Sequence, residues 1–317
     1  MTGLARGLIT LAAIGVALAG TIPRVRAEAG AALAAPQSTF RSSKSVVWVS
    51  VSVKRGNAVV ANLTAADFAL TDSGVPQTVD AVSIQSVPMD VTLFLDTSGS
   101  TAGKLDEMRH DVQTVLQLLR PGDRFRLLTI GDTVNETVPW VAAGTKVAPA
   151  IQAIGGISLI HDALMFGLLH RPEPGRRHLI VGMTDRRDCG SVVPASLLLD
   201  AAGRSEAVMH LVDYAGGSQA GSYRVRTCSP EARAGGDAIL SMAAERTGGQ
   251  QHGQSRFFRA SSIARAFKII FDDFRQSYVL HYSPAGVTGA GWHAIAVTVP
   301  AIKNATIRAR QGYYGGP

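Results

Sequence analysis

Charge is scarce in this sequence. Only 17% of the 317 residues are Asp, Glu, Lys or Arg, against 46% apolar residues, a balance that excludes a disordered chain or a filament. Aromatic residues are scarcer, at 6%, and the arginine pairs Arg176-Arg177 and Arg186-Arg187, with Arg308 and Arg310, are not interleaved with them along one surface. That removes the main support for nucleic-acid binding. The eight histidines include no pair four residues apart of the metallopeptidase type, which weakens a zinc reading. After residue 19 no apolar stretch approaches the roughly 20 residues needed to span a bilayer, and no cysteine stands where a lipid is attached. No internal repeat is apparent.

What is present begins with an export signal. Arg6 precedes an apolar stretch from Leu8 to Ala19, and Val25-Arg26-Ala27 puts small residues where an exporting peptidase reads them. Residues 1–27 read as a signal peptide and 28–44 as a small-residue linker; the alternative is an uncleaved anchor. The protein is then expected outside the cytoplasm, periplasmic or secreted. Cleavage removes three arginines and no acid, taking the formal charge from +7 to +4. In an oxidising compartment the only two cysteines, Cys189 and Cys228, read as a disulfide rather than a metal or catalytic site.

The alternating Val47, Val49, Val51 and Val53 predict a strand with one buried face. Leu63 to Phe68 predicts a capped helical turn, and Asp72-Ser73-Gly74 a hairpin between 68–71 and 78–84. Residues 45–86 form a small β module on this reading. From Met89 apolar runs alternate with helical segments. Strands are expected at 91–95, 124–130, 178–184, 207–212 and 278–282, with an edge strand at 134–141 that contains Pro139. Helices are expected at 105–119, 147–154, 158–169, 193–202, 237–247 and 263–276. The alternation predicts an α/β fold over 87–283, a doubly wound and mostly parallel sheet with right-handed crossovers. Residues 284–317 return to β texture and are expected to pack with the N-terminal module.

Ligands of doubly wound folds bind beyond the carboxyl ends of the strands. Asp96 stands at such an end, and in an extended loop Asp96, Ser98 and Ser100 point the same way while Thr97 points elsewhere, with Gly99 permitting a tight path. A carboxylate with hydroxyls is an all-oxygen set for a hard cation, Mg²⁺ with Mn²⁺ or Ca²⁺ as alternatives. Ser158, at the start of a helix, and Asp185, at the end of a buried strand, add a hydroxyl and a carboxylate on the same edge. A cation held mostly by neutral hydroxyls keeps positive character and accepts a carboxylate from another molecule.

These segments resemble the von Willebrand factor A (VWA) domain, whose metal-ion-dependent adhesion site combines Asp-x-Ser-x-Ser with a later Thr and a later Asp. The resemblance implies Asp96, Ser98, Ser100, Ser158 and Asp185 as the metal set, with Ser158 replacing Thr. Arg186 stands where related sequences commonly have Gly, and its guanidinium either pairs with Asp185 or repels the cation. Residues 63–77, 278–284 and 308–314 are similar to an exported bacterial subfamily. The implied function is a non-enzymatic, metal-dependent protein-binding module whose partner presents a carboxylate. The alternatives are a metal-independent scaffold and a serine hydrolase using Ser98. The hydrolase reading lacks the glycine two positions before the serine, where Asp96 stands. Asp162 is expected to meet backbone amides at a helix end rather than metal, His161 to be a packed or surface residue, and Asp188 and Asp213 to be loop residues. The loop from Ala215 to Gly236 either shapes partner specificity or is a tolerated insertion.

Overall fold

The structure is a computed structural model describing residues 46–83, 87–153, 156–213, 230–253 and 261–315. These all belong to one compact unit, Lys44–Pro317, and the other unit, Met1–Ser43, lies outside them. The expected signal peptide, the whole linker, Cys228 and most of the 215–236 loop fall outside the described residues.

The N-terminal part supplies β1 (Val47–Arg55), β2 (Ala58–Val59), β3 (Ala69–Asp72), β4 (Val75–Gln77) and β5 (Ala81–Ser83). The α/β part follows as β6 (Met89–Asp96), α1 (Leu105–Leu118), β7 (Arg124–Ile130), β8 (Val134–Ala142), α2 (Ile160–Leu168), β9 (Arg177–Thr184), α3 (Ala195–Arg204), β10 (Val208–Asp213), α4 (Pro230–Arg246), β11 (Gln251–His252) and α5 (Ser261–Gln276). The chain closes with β12 (Tyr278–Tyr282), β13 (Gly291–Thr298), β14 (Ala305–Ala309) and β15 (Gly312–Gly315).

Six strands form the central sheet in the order β11-β10-β9-β6-β7-β8, parallel except for the antiparallel edge strand β8. Both faces are covered, which is why β6 is buried at every position and reads as a continuous apolar run. On one face α1 contributes Met108, Val112 and Val115, and α5 contributes Ile263, Phe267, Ile270, Phe271 and Phe274. Residues from α2, α3 and α4, among them Leu164, Leu168, Leu198, Leu240 and Ala244, close the other face. Each large side chain so buried contributes about 1.5–3 kcal/mol. After β6 the chain adds β7 on one side and later β9 on the other, so the strand order reverses between β6 and β9, where a doubly wound sheet opens a crevice.

Two antiparallel sheets make the second part. One has the order β14-β1-β12-β5 with β2 beside β1, the other β15-β13-β3-β4. Val49, Val51, Tyr278, Leu280 and Tyr282 from the first share a core with Leu70 and Ile295 from the second. Asp72, fully buried, accepts hydrogen bonds on Oδ2 from Tyr282 Oη (2.8 Å) and Tyr313 Oη (2.9 Å), which ties β3, β12 and β15 together.

Several sequence expectations need correction. Tyr278–Tyr282 does not join the α/β sheet; it pairs with β1, register Val49 to Leu280, in the β part. The hairpin around Ser73-Gly74 closes on Val75–Gln77 rather than 78–84. Its two turn residues take left-handed φ values of 50° and 82°, as a two-residue type I′ turn requires. Residues 147–153 form no helix: Val147 and Ile151 have helical spacing, but Ile151 N donates to Pro149 O (2.9 Å) in a local turn that seats Ile151 in the core. The helix expected from Ser158 starts at Ile160, because Ser158 is held in an isolated bridge with Asp188.

Candidate metal centre

Asp96 ends β6, and Asp185 directly follows Thr184 at the end of the neighbouring β9, so the strand reversal brings both carboxylates to one crevice. The segment after Asp96 is a turn rather than an extended loop: Thr101 N donates to Ser98 O (3.0 Å), and Thr101 Oγ1 donates to the carbonyls of Asp96 (2.7 Å) and Ser98 (2.9 Å). The turn places Ser98 Oγ 3.1 Å from Ser100 Oγ. Thr97 points away and donates to Ile130 O (3.1 Å). Gly99 keeps an ordinary φ and has room for a side chain, so it is not the glycine the site depends on.

That glycine is Gly156. Its φ is +134°, and a Cβ built there would lie 1.8 Å from Asp132 Oδ1. Asp132, just past the end of β7, accepts Ile157 N on the same oxygen (2.8 Å) and so fixes the segment leading to Ser158. Ser158 Oγ then donates to Asp96, 3.1 Å from Oδ1 and 3.3 Å from Oδ2. Thr184 Oγ1 donates to Asp96 Oδ2 (3.0 Å), and Ser98 N donates to Oδ1 (3.1 Å). Sequence reasoning missed Thr184 and Asp132. The available signal was position, a hydroxyl beside Asp185 and an acid directly after a strand adjoining the reversal.

Asp96 is fully buried. Its burial, and then the nearby Asp185 charge, push its carboxyl above the usual range, while bonds from Ser98 and Thr184 oppose the rise. Asp185 Oδ2 is buried and has no hydrogen-bond partner among the described residues; Arg187 Nε lies 3.8 Å from it. A buried carboxylate oxygen without a donor, beside a second carboxylate, is a place where a cation relieves a real cost. Hydroxyls that give their protons to Asp96 keep their lone pairs for an ion. The donor set therefore fits a hard divalent ion. Among the described residues no three His, Cys, Asp or Glu side chains group to hold a metal, so hydroxyls would have to supply the remaining ligands.

Arg186 adopts a left-handed φ of 67°, which gives a physical reason for glycine at this position. Its Nε pairs with Asp213 Oδ1 at 3.2 Å, across the end of β10. Asp162 meets backbone amides, though not those of its own helix: Oδ1 accepts Val193 N (2.8 Å) and Oδ2 accepts Val192 N (3.1 Å). Asp188 accepts Ile160 N (3.0 Å) at the start of α2 and lies 3.3 Å from His161 Nδ1. His161 is packed at 8% exposure. These residues build the α2 entry and the 188–193 loop around the crevice. Among the described residues no imidazole hydrogen-bonds to Ser98. The Cys189–Cys228 pairing involves Cys228, outside the described residues.

No protein-family model matches the chain, and no curated protein matches it. Solved structures similar to it include a von Willebrand factor type A protein from Catenulispora acidiphila (10% identity, TM-score 0.44, 87% of this chain and 74% of that one). Another is an aerotolerance-related membrane protein from Bacteroides fragilis (14%, 0.42, 58% and 98%). A third is the ArnB paralog VWA2 from Sulfolobus acidocaldarius (12%, 0.43, 69% and 53%). Likeness at this level carries no weight for the site; the fold rests on the strand order already described, a doubly wound α/β sheet with an antiparallel β part beside it.

Proposed function

We propose that this chain is an exported VWA-type protein-binding module that uses a divalent cation to take a carboxylate from a partner. The observation that carries the reading is the buried Asp96 carboxylate, which collects the hydroxyl protons of Ser158 and Thr184 beside an Asp185 oxygen that has no donor among the described residues. When bound, Mg²⁺ or Mn²⁺ supplies a Lewis-acidic centre with an open position for an external carboxylate. The chain's own residues do the rest. Asp96 orients the hydroxyls, Ser98, Ser100 and Ser158 present oxygen lone pairs, and Asp185 balances charge. Among the described residues no imidazole base hydrogen-bonds to Ser98, which supports a non-enzymatic reading.

Thermal melting with Mg²⁺, Mn²⁺ or Ca²⁺ tests the proposal. At a hundredfold excess over Kd the ion stabilises by about 2.7 kcal/mol, roughly 5–10 °C for a domain of this size. Asp96→Ala is expected to abolish the shift. Equal melting of the parent protein with and without every ion sinks the reading.

A metal-independent scaffold is favoured by one observation, the Arg187 guanidinium near Asp185 Oδ2, which supplies positive charge from within the chain. Partner capture that persists in chelator supports that reading; capture lost on chelation eliminates it.

A further inference from the structure

Opposite the metal edge, at the amino ends of the parallel strands, the α/β part and the β part enclose a cavity of about 620 Å³. This lies within the size range of small-molecule sites. One wall is the outer face of β1 and β12, with Trp48, Ser50, Val279 and His281. The other is made by the 172–178 segment leading into β9 and the 205–207 segment before β10, with Arg310 at the side.

The lining is amphipathic in an ordered way. Trp48 is 48% exposed although its neighbours Val47 and Val49 are buried, and its ring lies on His281 with centroids 3.7 Å apart. An indole held open against an imidazole, with Pro172, Pro174, Val279 and Ala207 also lining the space, forms an apolar wall.

Charge on the other side is unequal. Glu173 is engaged by Arg124 (2.7 Å) and Arg176 by Asp90 (2.6 Å). Arg177 and Arg310, each bonded to neutral oxygens, line the cavity together with Glu206. Arg177 donates to Phe274 O (2.8 Å) and Ser277 Oγ (2.7 Å), and Arg310 to Gly312 O and Gly203 O (2.9 Å each). Three buried polar atoms of lining residues, Arg177 Nε, His178 Nδ1 and His281 Nε2, have no hydrogen-bond partner among the described residues.

We propose that this cavity is a binding site for a small amphipathic organic acid, its carboxylate drawn to the Arg177–Arg310 side and its apolar body laid against Trp48. Nothing in the site calls for covalent chemistry, and its position at the far edge of the sheet separates it from Asp96.

The test uses the full exported chain in chelator, so that its outcome is independent of the metal proposal. The probes are decanoate and its uncharged counterpart decanol, read by tryptophan emission and by melting temperature. Decanoate is expected to bind at least tenfold more tightly than decanol. Trp48→Ala is expected to weaken both, and Trp48→Glu, at an exposed position that does not threaten folding, to abolish decanoate binding. Arg177→Met is expected to remove the preference for decanoate. Because Arg177 also holds the end of α5, the two Trp48 variants decide the matter if it fails to fold. Equal affinity for acid and alcohol, no saturable decanoate binding, or unchanged decanoate affinity in Trp48→Glu each overturn the proposal.

Discussion

Replacing Gly156 by Ala tests the construction of the metal edge without touching any proposed ligand. Two costs follow from the geometry. The φ of +134° lies where a residue with a Cβ is strained by about 1–3 kcal/mol. The new methyl also falls on Asp132 Oδ1, so the carboxylate must leave and Ile157 N loses a charged hydrogen-bond acceptor, about 1.5–3 kcal/mol. Together they destabilise by about 2.5–6 kcal/mol, a fall in Tm on the order of 10 °C for a domain of this size. The two costs separate in a double-mutant cycle. Asp132→Ala alone pays only the hydrogen bond; in that background Gly156→Ala pays only the backbone strain, so the double variant is less destabilised than the sum of the singles. Urea melts of the four proteins provide the measurement, and a repeat with Mg²⁺ shows whether displacing the segment before Ser158 weakens the ion response, as expected. Strict additivity, or a Gly156→Ala protein melting with its parent, would refute the reasoning.

Other expectations follow from the same coordinates. Arg186→Gly should be more stable than Arg186→Ala by about 1 kcal/mol, because both lose the pair with Asp213 and only Gly accepts the left-handed backbone without cost; equal melting points would contradict the assigned φ. Asp111, buried on α1, has its carboxyl pushed up to about 7 by burial and by Glu107. The folded state therefore holds a proton that the unfolded state, near 3.8, releases. This contribution to stability is present at low pH and is lost as pH rises from about 4 to about 7, by up to about 4 kcal/mol. Asp111→Asn should flatten that decline and be more stable than its parent at pH 8, with little gain at pH 4; a gain independent of pH between 4 and 8 would refute it.

The α/β strands were legible because burial on two faces leaves an unbroken apolar run, as in Val91 to Leu95, and the helices because one buried face imposes a 3.6-residue period, as in α5. Pairing partners were not legible in the same way. Tyr278 to Tyr282 carries the signature of a buried strand, but nothing local states that its neighbours are β1 and β5 rather than β10. The stretch 147–153 shows the converse limit, since Val147 and Ile151 match a helical spacing that a turn at Pro149 satisfies without a helix. At the candidate site, Asp96, Ser98, Ser100, Ser158 and Asp185 were chosen because they follow strand ends or precede a helix. Asp132 and Thr184 escaped because their roles depend on distances between loops: one supports a backbone amide 25 residues away, the other a carboxylate 88 residues away.

The placement of β1 between β12 and β14 has a consequence for synthesis. Apart from the short β2, the valine-rich first strand waits for partners more than 200 residues downstream, so the β part closes last, after the helices and parallel strands between have been made. Until then Val47, Val49, Val51 and Val53 present an unsatisfied, aggregation-prone edge. On the proposed export reading that delay helps keep the chain unfolded for crossing a membrane: its clasp cannot shut before Tyr278 to Ala309 have been made.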